Sequence, residues 1–340
     1  MKSELGPILD IPRLIRKHRS SVVSVRKICR RVSDSDFRPD VLLARSTLYD
    51  TAPISVAKEL GCPLITEANT PLEYECCDVR HASLRPLVCS FEKKLYDTSR
   101  GVYVVSSTLE RMLAERYGIP HSKMRVIPNG YSYDLYSDFD RRDSIRQRVR
   151  EAEGVAGAFV VTFVGSLQTW HGIDRLIAIA ERLKNIEGAP IVFWVLGDGA
   201  KREAVKSYAD ISDNFIWFGN VDPDRMHELL YASDLGVMPY DPLDSFYFSP
   251  LKMYDMIGAG LPYIALNIGQ IAEETPEPMR ASCLIDSVDP DAYARSIIKM
   301  RDGGITPAVL ESIQIVRSSC SWIDRARDLG HWIEGMVDVA

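Results

Sequence analysis

The sequence predicts an α/β fold of two successive domains, each a parallel sheet with helices on its faces. Three observations predict it. Short apolar runs alternate with helix-patterned stretches over most of the chain, the order expected of strand–helix–strand units. The chain has 340 residues, more than one typical domain holds. A polar, charged stretch from Tyr131 to Gly157 separates two runs of such units and reads as a linker.

The first domain is assigned to residues 1–135. Residues 10–38 pattern as helix and are rich in Arg13, Arg16, Lys17, Arg19, Arg26, Lys27, Arg30, Arg31 and Arg38. Such a stretch is either a solvated helix face or a contact with an anionic membrane surface. A strand over Val41–Ala44, a helix over Pro53–Leu60 closed by Gly61, and a strand over Pro63–Thr66 follow, and residues 67–75 (EANTPLEYE) read as a loop. A helix over Leu84–Asp97 leads to a strand over Gly101–Val105. The next helix takes Ser107 as its N-cap with Glu110 three residues on. The strand Arg125–Pro128 ends at the turn pair Asn129-Gly130. Doubly wound domains normally begin with a strand and a glycine-rich turn, and nothing before Val41 supplies one, so this domain is expected to be incomplete.

After a linker at 136–157, the second domain (158–320) opens on AFVVTFVG (158–165), a buried strand by its continuous apolar run. A loop at Ser166–Gly172 precedes a helix with Leu176, Ile177, Ala180 and Leu183 at helical spacing. Strands at Ile191–Leu196, Phe215–Phe218 and Leu235–Met238 follow, with Asp222-Pro223 starting the helix between the last two. Residues 321–340 read as a C-terminal helix.

Composition excludes several classes. Hydrophobic residues make up 46% and charged residues 26%, a globular balance, and the net charge of −6 argues against a general nucleic-acid binder. No run approaches the roughly 18–20 apolar residues that span a bilayer, and the opening residues contain no apolar signal-peptide core. The seven cysteines (Cys29, Cys62, Cys76, Cys77, Cys89, Cys283, Cys320) lack metal-ligand spacing; reduced thiols in a cytoplasmic protein are expected, and no metal site.

The chemistry concentrates in DSFYFSPLKMYDMIGAGLPYIAL (244–266). Ser249 and Pro250 read as an N-cap and a first-turn proline, Lys252 lies in the first turn, and Gly258 and Gly260 end the helix. A helix start offers unpaired N–H groups and partial positive charge, so with Lys252 it forms a phosphate site. Asp255 follows one turn later, at a spacing where both side chains can face one cleft. The alternative is an ordinary capped helix with a surface ion pair.

VIPNG (126–130), FVGSLQTWHGID (163–174), LGDG (196–199), FGNV (218–221), SDLGVMPY (233–240) and SPLK followed by YDMIGAGLPYIA stand in one order. That order resembles retaining GT-B glycosyltransferases of glycosyltransferase family four, from about Asp40 to Trp322. The resemblance implies two Rossmann-like domains facing a cleft and transfer of a sugar from a UDP- or GDP-sugar to a glycan, lipid-linked or small-metabolite acceptor. It implies no cofactor beyond the nucleotide-sugar co-substrate. Family members usually carry two glutamates eight positions apart here; Asp255 takes the second place, which holds the ribose, and Tyr247 takes the first. Ser249, Pro250 and Leu251 form the SPLK turn around the donor. Gly165 and Ser166 border the diphosphate, and His171, where a lysine is common, would donate to phosphate or else pack against Trp170. Gly219 and Val221 match positions beside the base. Gly197 matches a turn at the back of the donor site, or is a plain strand–helix turn.

In the first domain the resemblance makes Asn69 a candidate for the donor sugar or acceptor, and Glu67 and Glu75 candidates for an acceptor hydroxyl or an amino-sugar, although both carboxylates also suit a solvated loop. With Lys252, Asn69 and Glu67 complete the candidate catalytic set. The family's opening strand and Gly-Gly-type loop have no counterpart, which leaves the first domain short by roughly 40–60 residues on the usual domain size. A non-catalytic sugar-nucleotide-binding or partner subunit is the alternative function. Surface polysaccharide synthesis in the cytoplasm, peripheral to the inner membrane face through residues 13–38, completes the expectation.

Overall fold

A computed structural model describes residues 25–79, 85–243 and 245–337. The chain divides into two compact units, Met1–Pro128 with Arg327–Ala340, and Asn129–Ala326. The basic residues 13–24 lie outside the described residues. A helical stretch at 25–33 exposes Arg26, Lys27, Arg30 and Arg31 and buries Cys29.

In the first unit, β1 (Leu42–Arg45), β2 (Leu64–Ala68), β3 (Gly101–Val104) and β4 (Met124–Val126) form a parallel sheet in that order. Helices α1 (Ala52–Leu60), α2 (Arg85–Thr98) and α3 (Ser107–Tyr117) make the crossovers. Gly61 closes α1 in the left-handed conformation, at φ +69°. The N-cap of α3 is Ser106, one residue before the expected Ser107, because the Ser106 hydroxyl accepts from the Leu109 N–H. Strand β2 runs to Ala68, two residues beyond the expected strand. Its partners explain this: Glu67 pairs with Arg45 on one side and Tyr103 on the other, so the ladder continues through the polar residue.

The second unit holds six parallel strands in the order β10-β9-β8-β5-β6-β7. They are β5 (Phe159–Val164), β6 (Ile191–Leu196), β7 (Phe215–Gly219), β8 (Leu235–Met238), β9 (Tyr263–Leu266) and β10 (Leu284–Ile285). Every residue of β5 and β6 is buried, as a strand covered on both faces requires. Residues 136–157, expected as a linker, contain α4 (Arg142–Ala152), which buries Ile145 and Val149 in the core of this unit. The polarity that suggested a linker is used internally: Arg146 and Arg150 both pair with Asp234, and the Asp234 carboxylate also accepts from the Val160 N–H at 2.7 Å. Helices α5 (Ile173–Arg182), α6 (Arg202–Ala209), α7 (Pro223–Ala232) and α8 (Leu251–Gly258) follow β5, β6, β7 and β8. At the start of α7, Asp222 accepts from the Arg225 N–H with Pro223 at the first helical position. The last helix, Trp322–Val337, begins in the second unit and ends in the first.

Candidate functional site

The strand order sets where a ligand can sit. From β5 the chain winds outward through β6 and β7, then returns to lay β8, β9 and β10 on the other side of β5. The connections leaving β5 and β8 therefore diverge, and open α/β sheets bind ligands at the carboxyl ends of such a pair.

Glycines form the crest above these strand ends. The Gly165 N–H donates to the Leu196 carbonyl at 2.9 Å, and the Gly197 N–H to the Gly219 carbonyl at 2.7 Å. Gly165 and Gly197 hold φ of +129° and +131°, and a Cβ on Gly197 would stand 2.1 Å from the Gly165 oxygen. Gly197 is thus needed for backbone-to-backbone contact. Gly219, at φ +67°, borders open space, and Val221 is half-buried against the core.

The loop after β5 leans toward β8. A Cβ on Gly172 would overlap the Pro239 carbonyl, and Arg175 donates to the Pro239 and Tyr240 carbonyls, each at 2.9 Å. Inside this loop the His171 Nδ1 lies 2.5 Å from the Ser166 carbonyl oxygen. A carbonyl only accepts, so Nδ1 carries the proton and neutral His171 is left with an accepting Nε2. Burial, then the charge of Lys252, pushes its pKa down to about 4. The expected phosphate donor is therefore a neutral imidazole that braces the loop, packed against both Trp170 and Tyr240.

The loop before α8 is held by aromatic residues. Tyr240, Phe246 and Phe248 pack with ring centroids 4.1–5.7 Å apart, and buried Tyr247 meets Phe248 edge-on. Helix α8 starts at Leu251 with Pro250 at its N-cap, not Ser249. The Ser249 hydroxyl is already engaged: it accepts from the Asn129 N–H at 3.1 Å and donates to the Tyr254 oxygen at 3.0 Å. A proline cap adds no side-chain acceptor, so the Leu251 and Lys252 N–H groups keep their donating capacity, while the Met253 N–H donates to the Pro250 carbonyl at 3.0 Å. Leu251 is exposed.

Lys252 occupies the first turn of α8 and is only 7% exposed. Its ammonium has no hydrogen-bond partner. It lies 4.2 Å from the centroid of Phe163 and 4.9 Å from that of Tyr240. A Cβ on Gly165 would come within 3.1 Å of Nζ, so glycine there makes room for the amine. Burial pulls its pKa down to about 7. An unpaired ammonium in such a place is costly unless an anion arrives.

Asp255 meets a different neighbour. Its carboxylate accepts from the Tyr136 hydroxyl at 3.3 Å, and burial raises its pKa to about 6 although part of the residue reaches the surface. Lys252 and Asp255 therefore form no ion pair with each other.

In the first unit, Glu67 sits on β2 and not in a loop. Burial, and then the Glu67 charge, raises the pKa of Tyr103 on the neighbouring strand. Asn69 follows β2, and its Oδ1 is buried without a partner, as is the Thr70 hydroxyl. Glu75 begins a single π-helical turn, Glu75–Val79. The sequence reasoning missed Glu73 and Glu92. Glu73 is fully buried and pairs with Arg85 and Arg116. Glu92 accepts from the Leu72 and Glu73 N–H groups and the Tyr96 and Tyr117 hydroxyls. The available signal was a charge among the apolar positions Val88, Leu95 and Tyr96 of α2.

Residues 158–302 match the family described as glycosyl transferases group 1, and residues 5–135 match glycosyltransferase family 4. The chain carries two glycosyltransferase domains. The group 1 domain contains the Lys252 site, and the family 4 domain contains Glu67 and Asn69. A D-inositol 3-phosphate glycosyltransferase of Acidothermus cellulolyticus is 27% identical over 246 residues, covering 68% of this chain and 51% of that protein. An alpha-galactosylglucosyldiacylglycerol synthase of Streptococcus pneumoniae is 28% identical over 164 residues, 46% of this chain and 42% of that protein. The chain thus spans about half the length of the curated relatives it matches. Among solved structures, Anabaena HepE in complex with UDP-glucose aligns with a TM-score of 0.68 at 16% identity, over 92% of this chain and 82% of that one. The two parallel-sheet units are those of the GT-B fold.

Proposed function

We propose that this chain is a retaining, metal-independent glycosyltransferase that moves a sugar from a UDP- or GDP-sugar to a glycan, lipid-linked or small-metabolite acceptor. One observation carries the reading: the buried, unpartnered Lys252 ammonium beneath Gly165, at the start of α8 and at the point where the sheet reverses its strand order. A diphosphate there would gain the ammonium and the free N–H groups of the helix start, and would relieve the cost of the unpaired charge. As the bond from the anomeric carbon to the β-phosphate oxygen breaks, negative charge grows on that oxygen, and the same groups stabilise it.

Retention needs the acceptor hydroxyl to attack from the face the phosphate leaves. The new bond then joins the anomeric carbon to the acceptor oxygen, and the acceptor's proton passes to the departing phosphate oxygen. The products are a glycoside and a nucleoside diphosphate, and no side chain forms a bond. Asp255 is assigned to the ribose and Gly219 with Val221 to the base. Asn69 and Glu67 are assigned to the sugar-bearing end of the reaction. Synthesis of a surface glycan in the cytoplasm suits the exposed basic residues Arg26, Lys27, Arg30 and Arg31, which would meet anionic lipid. Among the described residues no helix is long and apolar enough to cross a membrane.

The test is binding of UDP and GDP and their hexose conjugates by thermal shift, followed by assay for slow donor hydrolysis. A shift with hydrolysis, both lost in Lys252→Ala, is the expected result. Unchanged turnover in Lys252→Ala would remove the donor-site assignment. The anomeric configuration of the product, read by NMR, tests retention. Flotation with anionic liposomes at low salt tests the membrane contact.

A further inference from the structure

Trp170 is 45% exposed, and a solitary exposed tryptophan by itself means little. This one is held in place. Its carbonyl accepts from the Asp241 N–H at 3.1 Å, and the turn Thr169–His171 closes with the Gly172 N–H on the Thr169 carbonyl at 3.0 Å. Gly172 presses against the end of β8, as described above, so the loop has little freedom to carry the indole away. The rings run outward in a row: the Lys252 ammonium lies against Tyr240, Tyr240 meets His171 with centroids 5.3 Å apart, and His171 meets Trp170 at 5.9 Å.

The strand order gives this row a direction. On the proposed donor site the base lies beside Gly219 at the end of β7 and the diphosphate over Gly165 at the end of β5. A sugar nucleotide laid along these ends runs β7, β6, β5 and then β8, which puts its sugar on the β8 side. The Trp170 loop leans to that side. No other residue of the loop after β5 offers a flat apolar surface, and the C–H face of a pyranose suits an indole face.

We propose that Trp170 is the stacking platform for the hexopyranose ring of the bound sugar nucleotide, a specificity-determining residue that reads the sugar and not the nucleotide. The inference rests on the donor-site assignment of the preceding section. Calorimetry on the full chain compares UDP with UDP-glucose, and GDP with GDP-mannose, in wild type, Trp170→Phe and Trp170→Ala. Trp170→Ala is expected to weaken the sugar nucleotide about three- to tenfold, the size of an aromatic contact, while the free diphosphate changes by less than about twofold. Trp170→Phe should recover most of the loss. An equal loss for diphosphate and sugar nucleotide would make Trp170 a structural brace of the loop and overturn the proposal. So would no loss for either. Wild type that binds none of the four ligands would overturn the donor-site assignment and this inference together, whereas nucleotide binding indifferent to Trp170 would overturn this inference alone.

Discussion

Replacing Lys252 with methionine should make the unliganded protein more stable while abolishing nucleotide binding. Methionine keeps most of the stem and its packing against Phe163 and Tyr240 and removes the charge. In the unfolded chain the amine titrates near 10.5, whereas burial brings it to about 7 in the folded protein. Between those values the unfolded state holds more protons, so stability rises with pH and the burden of this lysine is greatest at and below pH 7. Two-state linkage at those pKa values gives a burden on the order of 4 kcal/mol at pH 7, shrinking to roughly 1.5 kcal/mol at pH 9.5. Urea unfolding of wild type and Lys252→Met at the two pH values measures it: the variant should be the more stable, and its advantage should shrink by about 2–3 kcal/mol at the higher pH. Equal stabilities at pH 7, or an advantage independent of pH, would mean the amine has a partner or reaches water, and the anion-site argument would fall. The same physics couples binding to protons. A diphosphate beside Lys252 raises its pKa again, so binding at pH 8 should take up close to one proton, seen as a dependence of the calorimetric heat on the buffer's ionisation enthalpy.

Other expectations follow from the same geometry. Gly197→Ala, whose Cβ would collide with the Gly165 backbone, should cost about 3 kcal/mol or more and disturb nucleotide binding, whereas Gly219→Ala, strained only in φ, should cost about 1 kcal/mol; denaturant midpoints separate the two. His171 should stay neutral by NMR down to about pH 5 in the free protein, its pKa of about 4 lying below that range, and a resonance titrating near 6.5 would contradict the Nδ1–H contact to Ser166. Asp255 has a carboxyl raised from 3.8 to about 6, so the folded state holds the extra proton between those values and stability from this group falls as pH rises through them. Asp255→Asn should therefore gain roughly 2 kcal/mol at pH 7, after allowance for its partial exposure, while weakening affinity for a ribonucleotide; no gain in unfolding free energy would refute the buried-carboxylate account. Glu73→Gln removes the fully buried carboxylate that Arg85 and Arg116 both meet and should destabilise the first unit, measured by faster hydrogen exchange of α2 amides; unchanged exchange would mean the two arginines are satisfied by water alone.

Local pattern alone determined a good deal here. Continuous apolar runs such as FVVTFV and IVFWVL specify fully buried parallel strands wherever they occur, and the alternation with helices forces a sheet with covered faces. Asp222-Pro223, Gly61 and the Gly258–Gly260 helix end are cap chemistry, decided within a few residues. Lys252 was legible because a lysine in the first turn of a helix that follows a strand is a local fact. What needed the tertiary structure was every property that depends on a distant partner. The arginines of α4 look like linker charge until Asp234, more than eighty residues away, takes them up. His171 reads as a phosphate donor or as a residue packed on Trp170 until the Ser166 carbonyl fixes its proton on Nδ1 and burial keeps it neutral. Ser249 looks like a cap until Asn129 and Tyr254 claim its hydroxyl, and Glu67 looks like a loop residue until the neighbouring strands carry the ladder through it. Sequence spacing sets which residues share a face; solvation, hydrogen-bond partners and charge at a buried atom are set by what the fold packs against it.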